Sequence, residues 1–370
     1  MIKRIRLPLL VLSISVLLAG IWAGLLRMGW QWPVLAARLP VSHGPLMVSG
    51  FLGTVIGIER AVALETVLPW SNRRKGVLYV GPVLTLVGVL LLLVEGKTAV
   101  LSLTLITLGS LALVGVFGLI VRMHPALHTA VMALGALAWF VGNGLWLAGR
   151  PIHFAVWWWA GFLILTIAGE RLEMSRVLRL PQVARRLFGV GTAVFLLGLI
   201  WTIFQYSIGL RVVGMGFVAL AAWLLRFDIA RRTVKQQGLP RFIATCLLTG
   251  YVWLAVSGLL AILFGGVAAG LQYDAILHTV FLGFVFAMIF GHAPIIFPSI
   301  LGIPLTYRPA FYVHLILLHV TLLLRVMGDL AVWVPGRQWG GLLNGVVLLI
   351  FLGNTVVSLR QGMKDKKSVS

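Results

Sequence analysis

A single cysteine, Cys246, stands among 370 residues, which excludes a disulfide framework, a CxxC redox pair and a covalent haem-attachment motif. Acidic residues are scarce as well, nine against 30 Lys and Arg. Charged residues make up 11% of the chain, where a soluble domain carries about 25%. No GxxxxGK(S/T) phosphate loop, HExxH metal helix or GxSxG nucleophile elbow occurs, and no polar stretch is long enough to form a soluble domain that would house one. What fills the chain instead is apolar: 60% hydrophobic residues, 42 glycines and a mean hydropathy of +1.05. Such a composition belongs to an all-α integral membrane protein that crosses the bilayer many times.

A helix needs about 20 apolar residues to cross roughly 30 Å of hydrocarbon. Runs of that kind, broken by charge, Pro or Gly, occur at about 5–26, 43–64, 76–94, 99–121, 125–148, 152–169, 187–206, 208–227, 243–265, 274–293, 309–334 and 339–359, which predicts twelve spans. The basic start Lys3, Arg4 and Arg6 leads into a long apolar body without a small-x-small cleavage site, and reads as a retained first span rather than a cleaved signal peptide. With the N-terminus cytoplasmic, only Arg27, Arg38, Lys97, Arg150, Arg211, Arg325 and Arg337 fall in the outer half, leaving 23 of the 30 basic residues inside. The positive-inside rule then predicts a multi-pass, bacterial-type inner-membrane protein with both termini cytoplasmic. The net charge of +21 is a topology signal, with membrane lipid as its partner and no nucleic acid.

The sequence repeats weakly. Gly50-Phe51-Leu52 is followed by Glu59-Arg60, and Gly161-Phe162-Leu163 by Glu170-Arg171 at the same spacing, 111 residues on. Gly283-Phe284-Val285 recurs a further 122 residues along, with His292 at the glutamate position. A Gly-Phe-aliphatic match alone arises by chance in a chain this rich in both residues; the shared Glu-Arg register argues against chance. Spans two, six and ten are therefore related, which predicts three pseudo-repeats of four helices, about 1–122, 123–235 and 236–370, in one polytopic domain. Transporters of the major-facilitator type also have twelve spans but divide into halves of six.

An ionisable group inside the membrane costs at least ~2.5–3.5 kcal/mol at a span centre, so the histidines carry most of the information. His43 opens span two and His278 lies one turn into span ten, both at the outer side in this topology. Two such histidines on related helices have the makings of bis-imidazole haem ligation; the bland alternative is an interfacial residue and a polar residue bonded across helices. Gly50, Gly53 and Gly57 would let a flat porphyrin approach, although close helix packing uses the same glycines. His292, fourteen residues after His278, lies about 21 Å deeper at 1.5 Å per residue on nearly the same helix face. It precedes Ala293-Pro294-Ile295-Ile296-Phe297-Pro298, whose prolines are expected to distort the helix. His314 and His319 are about 140° apart on span eleven and need not serve one site, but His314 and His292 share an inner depth suited to a metal or a haem. His153 reads as interfacial, as do His124 and His128, whose i, i+4 spacing is also that of paired ligands on one helix face. Glu59-Arg60 and Glu170-Arg171 anchor the inner ends of spans two and six; alternatively Arg60 or Arg171 neutralises a haem propionate while Glu59 or Glu170 relays protons. Arg325 and Asp329, one turn apart in span eleven, are expected to pair with each other or to receive propionates.

Twelve spans in sets of four, with a histidine in span two and another in span ten, resemble haem–copper oxidase subunit I. That resemblance implies low-spin haem ligation by His43 and His278. The copper-ligand pattern of that superfamily, a span-six histidine and an adjacent His-His pair after span seven, is absent. The stretches from His43 to Leu64 and from His278 to Asp329, including His278-Thr279-Val280-Phe281-Leu282-Gly283, resemble more closely the NnrS family. This second likeness implies a b-type haem and copper, with His43, His278, His292, His314 and His319 as ligands, a link to nitric oxide or oxygen, and an electron-donor protein or quinol as partner. If the protein is an enzyme, the likeness makes it an oxidoreductase acting on nitric oxide or oxygen. The rival reading is a cofactor-free secondary transporter or channel in which intramembrane His and Glu relay protons or contact substrate.

Overall fold

The computed structural model describes residues 3–94 and 99–369; Lys97, placed above on the outer side, falls outside them, as do the side chains of Lys3 and Arg4. Among the described residues no strand occurs, and twelve helices are long and apolar enough to cross a membrane. They are α1 Ile5–Arg27, α2 Pro40–Val67, α3 Arg73–Leu91, α4 Ala99–Met123, α5 Leu127–Leu147, α6 Ile152–Leu178, α7 Gln182–Phe204, α8 Tyr206–Phe227, α9 Leu239–Phe264, α10 Leu271–Leu301, α11 Phe311–Leu330 and α12 Val334–Lys366. The chain is thus an all-α, multi-pass membrane protein. Only a helix satisfies every backbone N–H and C=O within its own segment, which is what hydrocarbon demands of a single span.

The patterning along each helix is that of a membrane bundle. On α7, Val183, Leu187, Val190, Leu197, Trp201 and Phe204 are exposed at spacings of three, four or seven residues, so one apolar stripe faces outward. Small and aromatic residues, among them Ala184, Phe188 and Phe195, form the opposite, buried face. Buried hydroxyls return their protons to their own helix: Ser13 Oγ donates to the Leu10 carbonyl at 2.8 Å and Ser110 Oγ to that of Thr107 at 2.7 Å, which removes the cost of an unpaired polar group.

Two compact units make up the chain: Met1–Phe162 with Ser299–Gly302, and Leu163–Pro298 with Ile303–Ser370. In the first, the indole of Trp139 on α5 stacks on Phe162 with ring centroids 4.9 Å apart, and its Nε1 donates to Ser49 Oγ of α2 at 3.3 Å. In the second, Arg171 at the end of α6 makes a bidentate bond to Asp228 beyond α8, Nε to Oδ2 at 2.8 Å and Nη2 to Oδ1 at 3.1 Å. The same carboxylate accepts the backbone N–H of Ala230 at 2.6 Å.

Neither span two nor span ten is a regular α-helix. Both contain an eight-residue π-helix, Leu46–Gly53 in α2 and Thr279–Phe286 in α10. The two segments start, end and place their Gly-Phe pair in one register: 46 to 279, 53 to 286 and 50 to 283 are each 233 residues apart. α6, which carries the third copy of the motif, has no such segment. π-Helix is rare and appears frequently at functional sites. The helix of α10 continues through Pro294 and Pro298, so the distortion lies before His292 and not after it. Because i→i+5 turns are wider than α turns, the same-face relation of His278 and His292 at 100° per residue does not carry across this segment.

Candidate functional site

The densest set of charges inside the described spans lies at one end of α10, α11 and α12. Asp274 is one turn into α10, and His278 follows at i+4, on the same face. Arg325 and Asp329 hold the same i, i+4 relation near the end of α11, and Arg337 sits in the first turn of α12. Two glycines let α11 and α12 cross closely: a Cβ on Gly340 would stand 2.6–2.8 Å from the N, Cα and Cβ of Arg325, and one on Gly328 would meet the backbone of Arg337. Since the obstacle at Gly340 is backbone, Gly340→Val is expected to destabilise the protein by about 1–3 kcal/mol through overpacking, read as a lowered thermal midpoint of the detergent-purified protein. A midpoint equal to wild type would disprove so tight a crossing.

Within this crossing Arg325 turns away from Asp329. Its guanidinium forks onto Asp274, Nε to Oδ2 at 2.9 Å and Nη2 to Oδ1 at 3.0 Å. Asp329, fully buried, lies instead beside Arg337, whose Nε is 3.0 Å from its Oδ1. The expected i, i+4 pair is thus replaced by two pairings between helices, because a bidentate carboxylate from a neighbouring helix matches the planar guanidinium better than one turn of the same helix does. Arg337 Nη2 also comes within 4.0 Å of Asp274 Oδ1. His278 completes the cluster, its Nδ1 2.9 Å from the Asp274 carbonyl oxygen and 3.3 Å from its Oδ1.

His43, in the other unit, has a comparable anchor. Its Nδ1 donates to the Gly20 carbonyl of α1 at 2.7 Å, and its ring lies against Gly24, where a Cβ would stand 2.8 Å from Cε1. His292 Nδ1 is held by the Met288 carbonyl at 2.7 Å. A carbonyl only accepts, so each of these rings carries its proton on Nδ1, which puts the lone pair on Nε2.

The histidines of α11 are engaged differently and separately. Trp253 Nε1 donates to His319 Nδ1 at 3.0 Å, and His319 Nε2 in turn donates to Thr249 Oγ1 at 2.9 Å. His314 is packed among Phe242, Phe290, Phe311 and Phe351, edge-on to Phe290 at 4.7 Å, with Asn354 Nδ2 donating to its Nδ1 at 3.2 Å. No group of three or more His, Cys, Asp or Glu among the described residues is placed to hold a metal ion. Glu59 pairs with its neighbour Arg60 at 2.9 Å, and the Arg60 guanidinium lies over the Phe117 ring. Glu170 lies near the end of α6, next to the Arg171 that Asp228 holds.

The sequence alone does not mark Asp228, Asp274 or Arg337 as site residues. The signal was present for Asp274, an aspartate in an apolar span four residues before a histidine. For Asp228 and Arg337 the partner becomes visible only once the helices cross.

The family described as a domain of unknown function (DUF8744) matches residues 6–360. The chain belongs to this family. No curated protein matches it. The DUF8744 match takes in α2, α10 and α11 whole, so His43, His278 and the five-residue charge cluster all lie inside the family's domain.

Proposed function

We propose that the protein is a haem-binding integral membrane protein of the cell membrane, with both termini cytoplasmic and a redox or nitric-oxide- or oxygen-related role. His43 and His278 are the haem ligands in this reading. The observation that carries it is their shared setting: each sits beside a π-distorted segment, the two segments fall in one register, and each imidazole has its Nδ1 tied to a backbone carbonyl. Metal-ligating histidines characteristically have the second nitrogen fixed in this way. At His278 the Asp274 carboxylate adds the negative charge that strengthens an imidazole ligand. A bis-imidazole haem supplies one-electron transfer at its iron, for which an electron-donor protein or quinol would be the partner.

The fit is partial. The donor atoms of His43 and His278 suit haem iron, but the glycine row offers no porphyrin face: Gly50 is covered by Val16, Gly53 by Trp139 and Gly57 by Pro82. The cavity bordered by Gly53, Gly57, Pro82 and Trp139 measures only about 10 Å³, room for one water. Arg325 and Arg60 already face Asp274 and Glu59, so neither brings an unbalanced charge to a propionate. Copper does not fit at His292, His314 and His319, since both nitrogens of His319 are engaged by protein groups and His314 stands in an aromatic box.

A second reading, a cofactor-free transporter or channel, is favoured by the Asp274–Arg325–Asp329–Arg337 cluster, because charges buried in spans mark ion and proton paths. One spectrum separates the two. Protein purified from haem-replete cells is expected to show a Soret band and, on dithionite reduction, sharp α and β bands. A colourless, iron-free preparation would sink the haem reading and leave the transport one.

A further inference from the structure

We propose that the arginines at the joined ends of α7 and α8, Arg185, Arg186, Arg226, Arg231 and Arg232, bind the phosphate headgroup of an anionic phospholipid. The inference does not depend on whether haem is bound. Three observations carry it. First, these arginines come from two separate connections and converge. Trp223 Nε1 donates to the Ala184 carbonyl at 2.7 Å, and Phe188 stands edge-on to the same indole at 4.8 Å, so the start of α7 is fastened to the last turn of α8. Arg185 and Arg186 directly follow Ala184, Arg226 is one turn beyond Trp223, and Arg231 Nη1 donates to the Arg226 carbonyl at 3.0 Å. Second, no acid balances their charge. All of them are exposed, and among the described residues none faces a carboxylate. Asp228, which stands between Arg226 and Arg231 in the sequence, is buried and occupied by Arg171 and the Ala230 N–H. What holds the set is neutral: a carbonyl for Arg231, and for Arg226 the Phe227 ring, 5.4 Å from its guanidinium carbon. Third, apolar surface begins at the arginines. Val183 and Leu187, on either side of Arg185 and Arg186, are 62% and 52% exposed and start the outward stripe of α7.

Orientation in the membrane asks only for basic residues on one side; it does not require two connections to bring theirs together. Nor does helix stability account for them, because the helix dipole favours cations at a C-terminal end and Arg185 and Arg186 stand at the start of α7. Clustered guanidinium groups repel one another, and an anion from outside the chain relieves that repulsion. A guanidinium fork matches two oxygens of a phosphate, and basic residues where spans leave the membrane attract anionic headgroups. A free phosphate ion offers the same oxygens but has nothing to lay along Val183 and Leu187. A phospholipid fits both parts, its phosphate among the arginines and its acyl chains along the stripe of α7.

The test is native mass spectrometry of the full chain, released from detergent micelles supplied with dioleoyl phosphatidylglycerol or with dioleoyl phosphatidylcholine. The anionic lipid is expected to stay bound where the zwitterionic one is lost. Arg185→Gln with Arg226→Gln is expected to weaken its retention by about tenfold or more, since each basic residue near an anionic headgroup contributes about fivefold. Arg73→Gln with Arg74→Gln, the same loss of charge at exposed residues of the other unit, is expected to leave it unchanged. Equal retention of the two lipids by the unmutated protein would overturn the proposal without any variant having to fold. Displacement of the anionic lipid by an equal concentration of inorganic phosphate or of a short oligonucleotide would assign the cluster to the free anion or to nucleic acid and overturn it as well. So would an equal loss in both double variants, because net charge and not this cluster would then hold the lipid.

Discussion

His278→Ala is expected to abolish the low-spin haem spectrum of the purified protein, as is His43→Ala, while His153→Ala leaves it intact. The way the imidazole is held decides this. With Nδ1 donating to the Asp274 carbonyl 2.9 Å away, the ring of His278 has one tautomer and one orientation, and no other histidine of α10 lies within two turns to replace it. Alanine removes the donor atom and leaves the helix intact, because the carbonyl of Asp274 remains part of the α-helix Leu271–His278. His278→Met separates lost ligation from lost folding. A thioether ligates haem iron and raises its potential, so that variant is expected to keep a low-spin spectrum with a higher midpoint in a redox titration. A variant that elutes as a single species and shows the wild-type spectrum after His278→Ala would refute the assignment.

How much of this was legible beforehand follows the physics of each feature. Span number and position are properties of composition over some twenty residues, and the twelve runs fall on the twelve helices. The largest discrepancies are at α6, α10 and α12, which extend past charged or proline-bearing turns that the hydropathy windows stop at. The Gly-Phe register between spans two and ten was readable, and it is along this register that the two π segments coincide. The π geometry itself is not legible in the sequence; in the fold Val16 packs on Gly50 and Trp253 on Gly283 within the two segments. Spacing along a single helix favours pairing Arg325 with Asp329. The actual partners, Asp274 on α10 and Arg337 on α12, are 51 and eight residues away from those side chains and come from neighbouring helices, the second where Gly328 and Gly340 let α11 and α12 cross closely. The same limit hid Asp228, 57 residues from Arg171.

Asp228→Ala is expected to cost roughly 3–5 kcal/mol of stability, the usual price of stranding one member of a buried ion pair. Both partners are out of reach of water, Arg171 at 6% and Asp228 at 1% exposure, so the guanidinium left behind has no solvent to replace two lost hydrogen bonds. The backbone N–H of Ala230 loses its acceptor as well, at about 1 kcal/mol for a net hydrogen bond, although losses sharing one carboxylate do not simply add. Exchanging both residues for apolar ones, Arg171→Met with Asp228→Leu, is expected to recover most of the loss, since removing a buried pair together is often neutral. Chemical denaturation of the detergent-purified proteins measures all three. If Asp228→Ala unfolded within 1 kcal/mol of wild type, or if the double variant were no better than the single, the pair would be a solvated contact rather than a buried one. The chain has nine acidic residues against 30 basic ones, and three of the nine, Asp228, Asp274 and Asp329, stand against arginines inside the same unit. Scarce negative charge is thus concentrated where it fixes helix crossings, and the single and double variants together measure how much stability one such fixation provides.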